Sequence, residues 1–206
     1  MQFPDFYAAA PAIRMHDPLA AFLGAAVDGI IDYRYEDAVR LAGHSCPTVA
    51  SAFLMTRAAL AALYPGTTPE RGSIRVDLRE ARDAGVAGVI ASVATLVTGA
   101  TADSGFRGLA GRFDRRDKLF FAQPLAQGNL RFTRLDSKAA VEVAADLSRL
   151  PGDPRAGELM PRCLSGDADA EEFMLFRTLW QDRVRRLLLE HADDPAIIAV
   201  SPGPTF

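Results

Sequence analysis

The sequence predicts an α+β fold, a single core domain with a mainly antiparallel sheet packed against long helices. Three observations carry that expectation. Segments with apolar residues at helical spacing and segments with strand alternation fall in separate runs, not in one-for-one alternation. The strand-like segments of the second half follow one another with only short turns between them. The chain has 206 residues, 49% hydrophobic and 24% charged, which is ordinary globular composition with enough apolar matter for a sizeable core. No repeat, low-complexity segment or linker divides it, so residues 1–206 read as one domain, with an arm at 1–13 and a C-terminal helix and tail at 168–206.

The arm, rich in Ala, Pro and aromatic residues, reads as irregular. Pro18–Ala25 reads as a short helix with Asp17 as N-cap and Pro18 at its first position. Tyr35–Leu41 reads as another. Pro47–Leu63 is the clearest helix of the first half, with Arg57 its only full charge, so most of it should be buried. Tyr64-Pro65-Gly66 ends it. Ser73–Arg79 alternates Ile74, Val76 and Leu78 against Arg75, Asp77 and Arg79, the pattern of a half-buried strand. Gly85–Thr98 reads as an apolar helix closed by Gly99, and the glycine-rich Gly99–Gly111 as loop. Arg112–Lys118 is basic but interrupted by Asp114 and Asp117, and reads as a solvated loop. Leu119–Ala122 and Leu130–Leu135 read as strands. Val141–Leu147 fits both periods; Asp136-Ser137-Lys138 before it makes a plausible hairpin turn, which favours a strand. Gly152–Gly166 reads as loop, with Cys163 in it. Ala170–Glu190 carries an apolar stripe of Phe173, Phe176, Leu179, Trp180, Val184, Leu187 and Leu188, and Asp169 with Glu172 resembles a capping box. Ile197–Val200 reads as a last edge strand.

Charge and cysteine usage narrow the function classes. A net charge of −3 gives no nucleic-acid footprint. No apolar run reaches the ~18 residues of a spanning helix, so no membrane association is expected. Met1–Ala10 has no Lys or Arg before its apolar residues and lacks the charged start of a secretory signal. Two cysteines allow one disulfide at most, and a reducing cytoplasm is the natural compartment.

The chemistry concentrates at Ala42-Gly43-His44-Ser45-Cys46-Pro47. Three histidines and two cysteines are all the chain has, and one of each stands here. Pro47 fits the first helical position, which makes Cys46 the N-cap, where free N–H groups and the helix dipole favour a thiolate. A thiolate beside an imidazole is both a metal-binding pair and a nucleophile with its base. A buried structural Cys beside a hydrogen-bonded His is the alternative. His16 precedes a helix, with Asp17 placed to orient its ring. His191 follows the last helix, where a protonated ring suits the dipole. The loop Gly99–Gly108 is no P-loop, because no GK[ST] follows, and no dinucleotide fingerprint, because a helix precedes it.

Gly43-His44-Ser45-Cys46-Pro47, the helix after it and Thr98-Gly99-Ala100-Thr101 together resemble the FmdE family, which takes its name from a component of formylmethanofuran dehydrogenase. That family runs HGHxCPG, helix, strand, a second helix ending in TGCT, a glycine-rich loop, and GK before an aromatic strand. Lys118 before Leu119-Phe120-Phe121 stands where the GK lysine would, and the likeness covers about residues 30–135 in order. Ala42 replaces the first His of HGH, Thr48 the Gly, Ala100 the Cys of TGCT and Asp117 the Gly of GK. No Cys stands near Val89, and two cysteines cannot supply the four that the family's optional C-terminal zinc finger needs.

The resemblance implies an α+β core, a metal site using His44 and Cys46, and a homodimer. Zinc takes four ligands, or three plus water. His16 is the remaining His of the first half, so His16, His44 and Cys46 form the expected site for zinc or another divalent transition metal, with one position open to a small-molecule ligand. Thr98, Thr101 and Lys118 are expected to line the ligand pocket. Two other readings stand beside this one. The first is a metal-free enzyme with Cys46 as nucleophile and His44 as base. The second is an accessory or interaction subunit of a redox complex, using the stripe of Ala170–Glu190.

Overall fold

The computed structural model describes residues 3–204; Met1 and Gln2 of the arm and Thr205 and Phe206 of the tail lie outside that range. The arm is more ordered than its composition predicts. It folds into a short helix, α1 (Phe6–Ala9), and Ile13–His16 forms strand β1. Aromatic packing explains the difference: Tyr7 is buried, with its ring edge-on to Tyr35 at 5.0 Å between centroids.

Helix α2 (Pro18–Leu23) starts as expected, with the Asp17 carboxylate accepting from Leu19 N and Ala20 N, and stops at Gly24 in the left-handed region. Strand β2 (Ile30–Tyr33) pairs antiparallel with β1 in a two-stranded sheet. Helix α3 (Tyr35–Ala42) ends at Gly43, φ 74°. Its stop turns the chain into the His44–Cys46 corner. Helix α4 (Pro47–Leu63) has the predicted bounds and takes Cys46 as N-cap.

Strand β3 (Ile74–Leu78), helix α5 (Ala87–Thr98) and the two-residue strand β4 (Leu119–Phe120) follow. Then come β5 (Leu130–Arg134) and β6 (Ala140–Ala145), joined by the predicted turn, with Lys138 at φ 63°. The region read as loop from Gly152 to Gly166 is instead helix α6 (Pro154–Ser165). Its start signal is plain in retrospect: Asp153 caps Arg155 N, with Pro154 at the first position. Gly157 and Pro161 inside the helix disguise it. Cys163 therefore lies in the last turn of a helix, not in a loop. Helix α7 (Ala170–Leu189) carries the predicted capping box, and β7 (Ile198–Pro202) closes the chain.

The main sheet has the order β4-β3-β5-β6-β7. Only the β3–β4 pairing is parallel, so the sheet is mainly antiparallel, as expected. Helix α4 packs against α3, α5 and α7 and over β5, β6 and β7. Phe53, Leu54 and Met55 are wholly buried there, each contributing about 1.5–3 kcal/mol relative to exposure. Arg57 reaches outward to Asp193 at 2.7 Å. The other face of β3 departs from the half-buried pattern. Asp77 is buried, held by Arg75 at 2.7 Å, and Arg75 lies 4.1 Å over the Phe120 ring. Among the described residues, no helix is long and apolar enough to cross a membrane.

Candidate functional site

Two clusters of polar groups stand out, one at the start of α4 and one where the glycine-rich loop meets α2 and the end of α5.

At the first, Cys46 Sγ lies 3.3 Å from His44 Nε2 and 3.5 Å from Val49 N. His44 Nδ1 is 3.0 Å from the Ala42 carbonyl. A carbonyl accepts only, so Nδ1 carries a proton, and in the neutral form of the ring it is Nε2, as an acceptor, that faces the thiol. His44 is exposed while Cys46 is buried, so solvent reaches the pair from the imidazole side.

The backbone between them is fixed from α7. Ser45 O accepts from Trp180 Nε1 at 3.0 Å and Gln181 Nε2 at 3.3 Å. Ser45 Oγ donates to Gln181 Oε1, so the contact at 2.9 Å between Ser45 Oγ and Tyr35 is donated by the Tyr35 hydroxyl. Burial pushes that hydroxyl well above the ordinary phenol range, more than its bond to Ser45 lowers it, and it stays protonated.

His16 does not join this pair. It ends β1, with Nδ1 4.0 Å from Glu70 Oε2. Asp17 does not orient its ring, because the Asp17 carboxylate is engaged elsewhere. Among the described residues, no group of three or more His, Cys, Asp or Glu gathers as a metal cluster would. His44 and Cys46 supply two of the three or four protein donors that zinc takes. His191 pairs with Asp194 at 2.9 Å.

The second cluster is the one sequence reasoning missed. Asp17 is 4% exposed and accepts from Arg71 Nη1 at 3.0 Å and Arg115 Nη2 at 2.7 Å. Burial alone would raise its carboxyl, but Arg71, Arg115 and the N–H groups of Ala20 and Leu19 outweigh that and hold it below its ordinary value. Arg71 also donates to Leu96 O and Val97 O at the end of α5, where a cation suits the helix dipole. Arg115, 5% exposed, corrects the reading of Arg112–Lys118 as a solvated loop. Its guanidinium is pushed down by burial, against the pull of Asp17.

The three residues expected to line a ligand pocket divide. Thr98 is wholly buried, with Oγ1 donating to Ala94 O and accepting from Ala100 N. Thr101 Oγ1 donates to Arg115 O at 2.7 Å. Both hydroxyls shape the loop from within. Lys118 does line a cavity, of about 420 Å³, shared with Arg71 and Arg115. Its Nζ donates to Gly72 O at 2.6 Å and to Asp114 O, and burial, reinforced by Arg115, pushes its ammonium down. The sequence held a signal for this site: Gly72 and Gly99 leave room for the arginine heads. At Gly72 (φ 91°) a Cβ would stand 1.9 Å from Arg115 Nη1, and at Gly99 (φ 73°) 2.9 Å.

No family model matches the chain, and no curated protein matches it.

Proposed function

We propose that the chain acts through Cys46 as a nucleophile toward a small electrophilic molecule, with His44 as its base. The observation that carries this is the 3.3 Å approach of Nε2 to Sγ, with Nδ1 spent on Ala42 O. Nε2 takes the thiol proton, and the N-terminus of α4 stabilises the thiolate left behind. The sulfur lone pair forms a bond to the electrophilic carbon as the bond to its leaving group breaks, the leaving group departing with that electron pair and taking the proton from His44. The bonds from Trp180 and Gln181 to Ser45 hold the two groups in register. Both cysteines are free, as a reducing cytoplasm would keep them.

A second reading uses the same two atoms as metal ligands. Zinc–sulfur and zinc–nitrogen bonds at a tetrahedral angle put the two donors about 3.5 Å apart, close to the separation here. The resemblance to the FmdE family supports this reading, as a core that keeps two of the family's ligands and takes the rest from a bound small molecule. Homodimerisation belongs to the same reading.

One experiment separates the two. Iodoacetamide labelling of Cys46 is timed at neutral pH, with and without chelator, in the parent and in His44→Ala, beside zinc analysis of each. The nucleophile reading expects rapid labelling, insensitive to chelator and at least about tenfold slower in the variant. The metal reading expects zinc in the parent, its loss in His44→Ala, and labelling that quickens with chelator. Slow labelling in both proteins, with equal metal content, removes both.

A further inference from the structure

The cavity beside Asp17 carries more positive charge than its carboxylates neutralise. Arg71, Arg115 and Lys118 converge on it, and Asp17 is the carboxylate bonded to the two arginines. The other nearby carboxylates are engaged elsewhere. Glu70 accepts from Ser73 and faces His16, and Asp114 forks onto Arg116. Lys118 Nζ has only peptide carbonyls as acceptors. With Arg112, four cations line the cavity against Asp17 and the lining carboxylates Glu70 and Asp114, an excess of positive charge in a site partly closed to water, where unpaired charge is costly.

Arg115 makes the imbalance specific. Its Nε and Nη1 have no hydrogen-bond partner, and among the described residues they are the buried side-chain nitrogens or oxygens in that state. Buried donors in folded proteins are satisfied almost without exception, so two unpaired N–H groups on one guanidinium mark it as short of acceptors, although they point apart and form no bidentate pair. Nη1 lies against Gly72, which forms part of the cavity wall.

The rim adds a second character. Phe113 lines the cavity and packs on Phe22 with ring centroids 5.6 Å apart, and Phe22 is 65% exposed. Phe113 holds φ 64°, a conformation that costs a bulky residue free energy and persists only where the surroundings enforce it.

We propose that this cavity binds a phosphate-type oxyanion, either free or as a monoester whose organic body rests on the Phe22–Phe113 rim. Arg115, Arg71 and Lys118 supply the charge. The volume of about 420 Å³ exceeds what the ion alone fills.

Calorimetric titration of the full chain with inorganic phosphate and with phenyl phosphate, at constant ionic strength in chloride, tests it. The parent is expected to bind one or both with a Kd below about 1 mM, and Arg115→Met to weaken binding at least about tenfold. Asp17→Asn keeps the capping oxygen but removes the competing charge, and is expected to tighten binding several-fold. It decides the matter if Arg115→Met does not fold. Tighter binding of the ester assigns its body to the aromatic rim, and equal binding assigns the site to the free ion. No saturable binding of either up to about 10 mM, or affinities unmoved in Asp17→Asn, overturns the proposal.

Discussion

Replacing Glu142 by Gln isolates the value of one buried charge. Glu142 stands on β6 opposite Arg131 on β5 and is 1% exposed. Oε1 accepts from Arg131 Nη2 at 2.7 Å, Arg131 Nε at 3.2 Å and Ala126 N at 3.2 Å. Oε2 accepts from Gln127 N at 2.7 Å and Gly128 N at 3.0 Å. A glutamine keeps one oxygen and turns an NH₂ group toward N–H donors. Burial alone would raise the carboxyl. The Gln127 N–H, the Arg131 guanidinium and the Gly128 and Ala126 N–H groups outweigh it and hold the group at about 2, against an ordinary 4.5. That gap corresponds to about 3 kcal/mol, or about 2 kcal/mol after allowance for screening by water. Removing one partner of a buried ion pair costs about 3–5 kcal/mol. Glu142→Gln is therefore expected to lose about 2–4 kcal/mol in urea denaturation at pH 7. The sign of the pH dependence follows from the lowered value. The carboxylate contributes fully above about 4.5, and the contribution is lost as pH falls toward about 2. The gap between parent and variant should close across that window. A gap that stays constant down to about pH 2.5, or one below about 1 kcal/mol at pH 7, refutes the reasoning.

Two further outcomes are expected. Gly72→Ala meets Arg115 Nη1 from a positive φ and should lose about 2–3 kcal/mol, whereas Gly111→Ala, also at positive φ but in open space, should lose about 1 kcal/mol; thermal unfolding of both checks the contrast. Trp180→Phe keeps the ring but removes the bond to Ser45 O, worth about 1 kcal/mol, and should slow alkylation of Cys46 about threefold at pH 7 without changing the fold by circular dichroism.

Much of the architecture was legible because its signals are local. Asp17-Pro18 and Cys46-Pro47 announce helix starts, Gly99 announces a stop, and the alternation of β3 announces a strand. Helix α6 was not, since Gly157 and Pro161 weaken the pattern that Asp153-Pro154 begins. The closeness of His44 and Cys46 was legible from a spacing of two residues across a capped helix start. The Asp17–Arg71–Arg115 cluster was not. Charged residues in a glycine-rich stretch look solvated until tertiary contacts bring three distant segments together, and no periodicity encodes that meeting. Tyr35, Trp180 and Gln181 escaped for the same reason: Tyr35 read as the start of a helix, Trp180 as part of a stripe and Gln181 carried no signal, yet their polar ends set the position of Ser45.

The bond between Asp17 and Arg115 spans 98 positions of chain, and that span dictates an order of assembly. While the polypeptide is being made, Asp17 leaves the ribosome long before Arg115, and until then its partners are its own first turn and, once synthesised, Arg71. Contacts of such reach form late, after the helices and strands between them have shortened the distance. A solute lodging there would thus recognise finished molecules alone and favour the closing step of folding over the earlier ones.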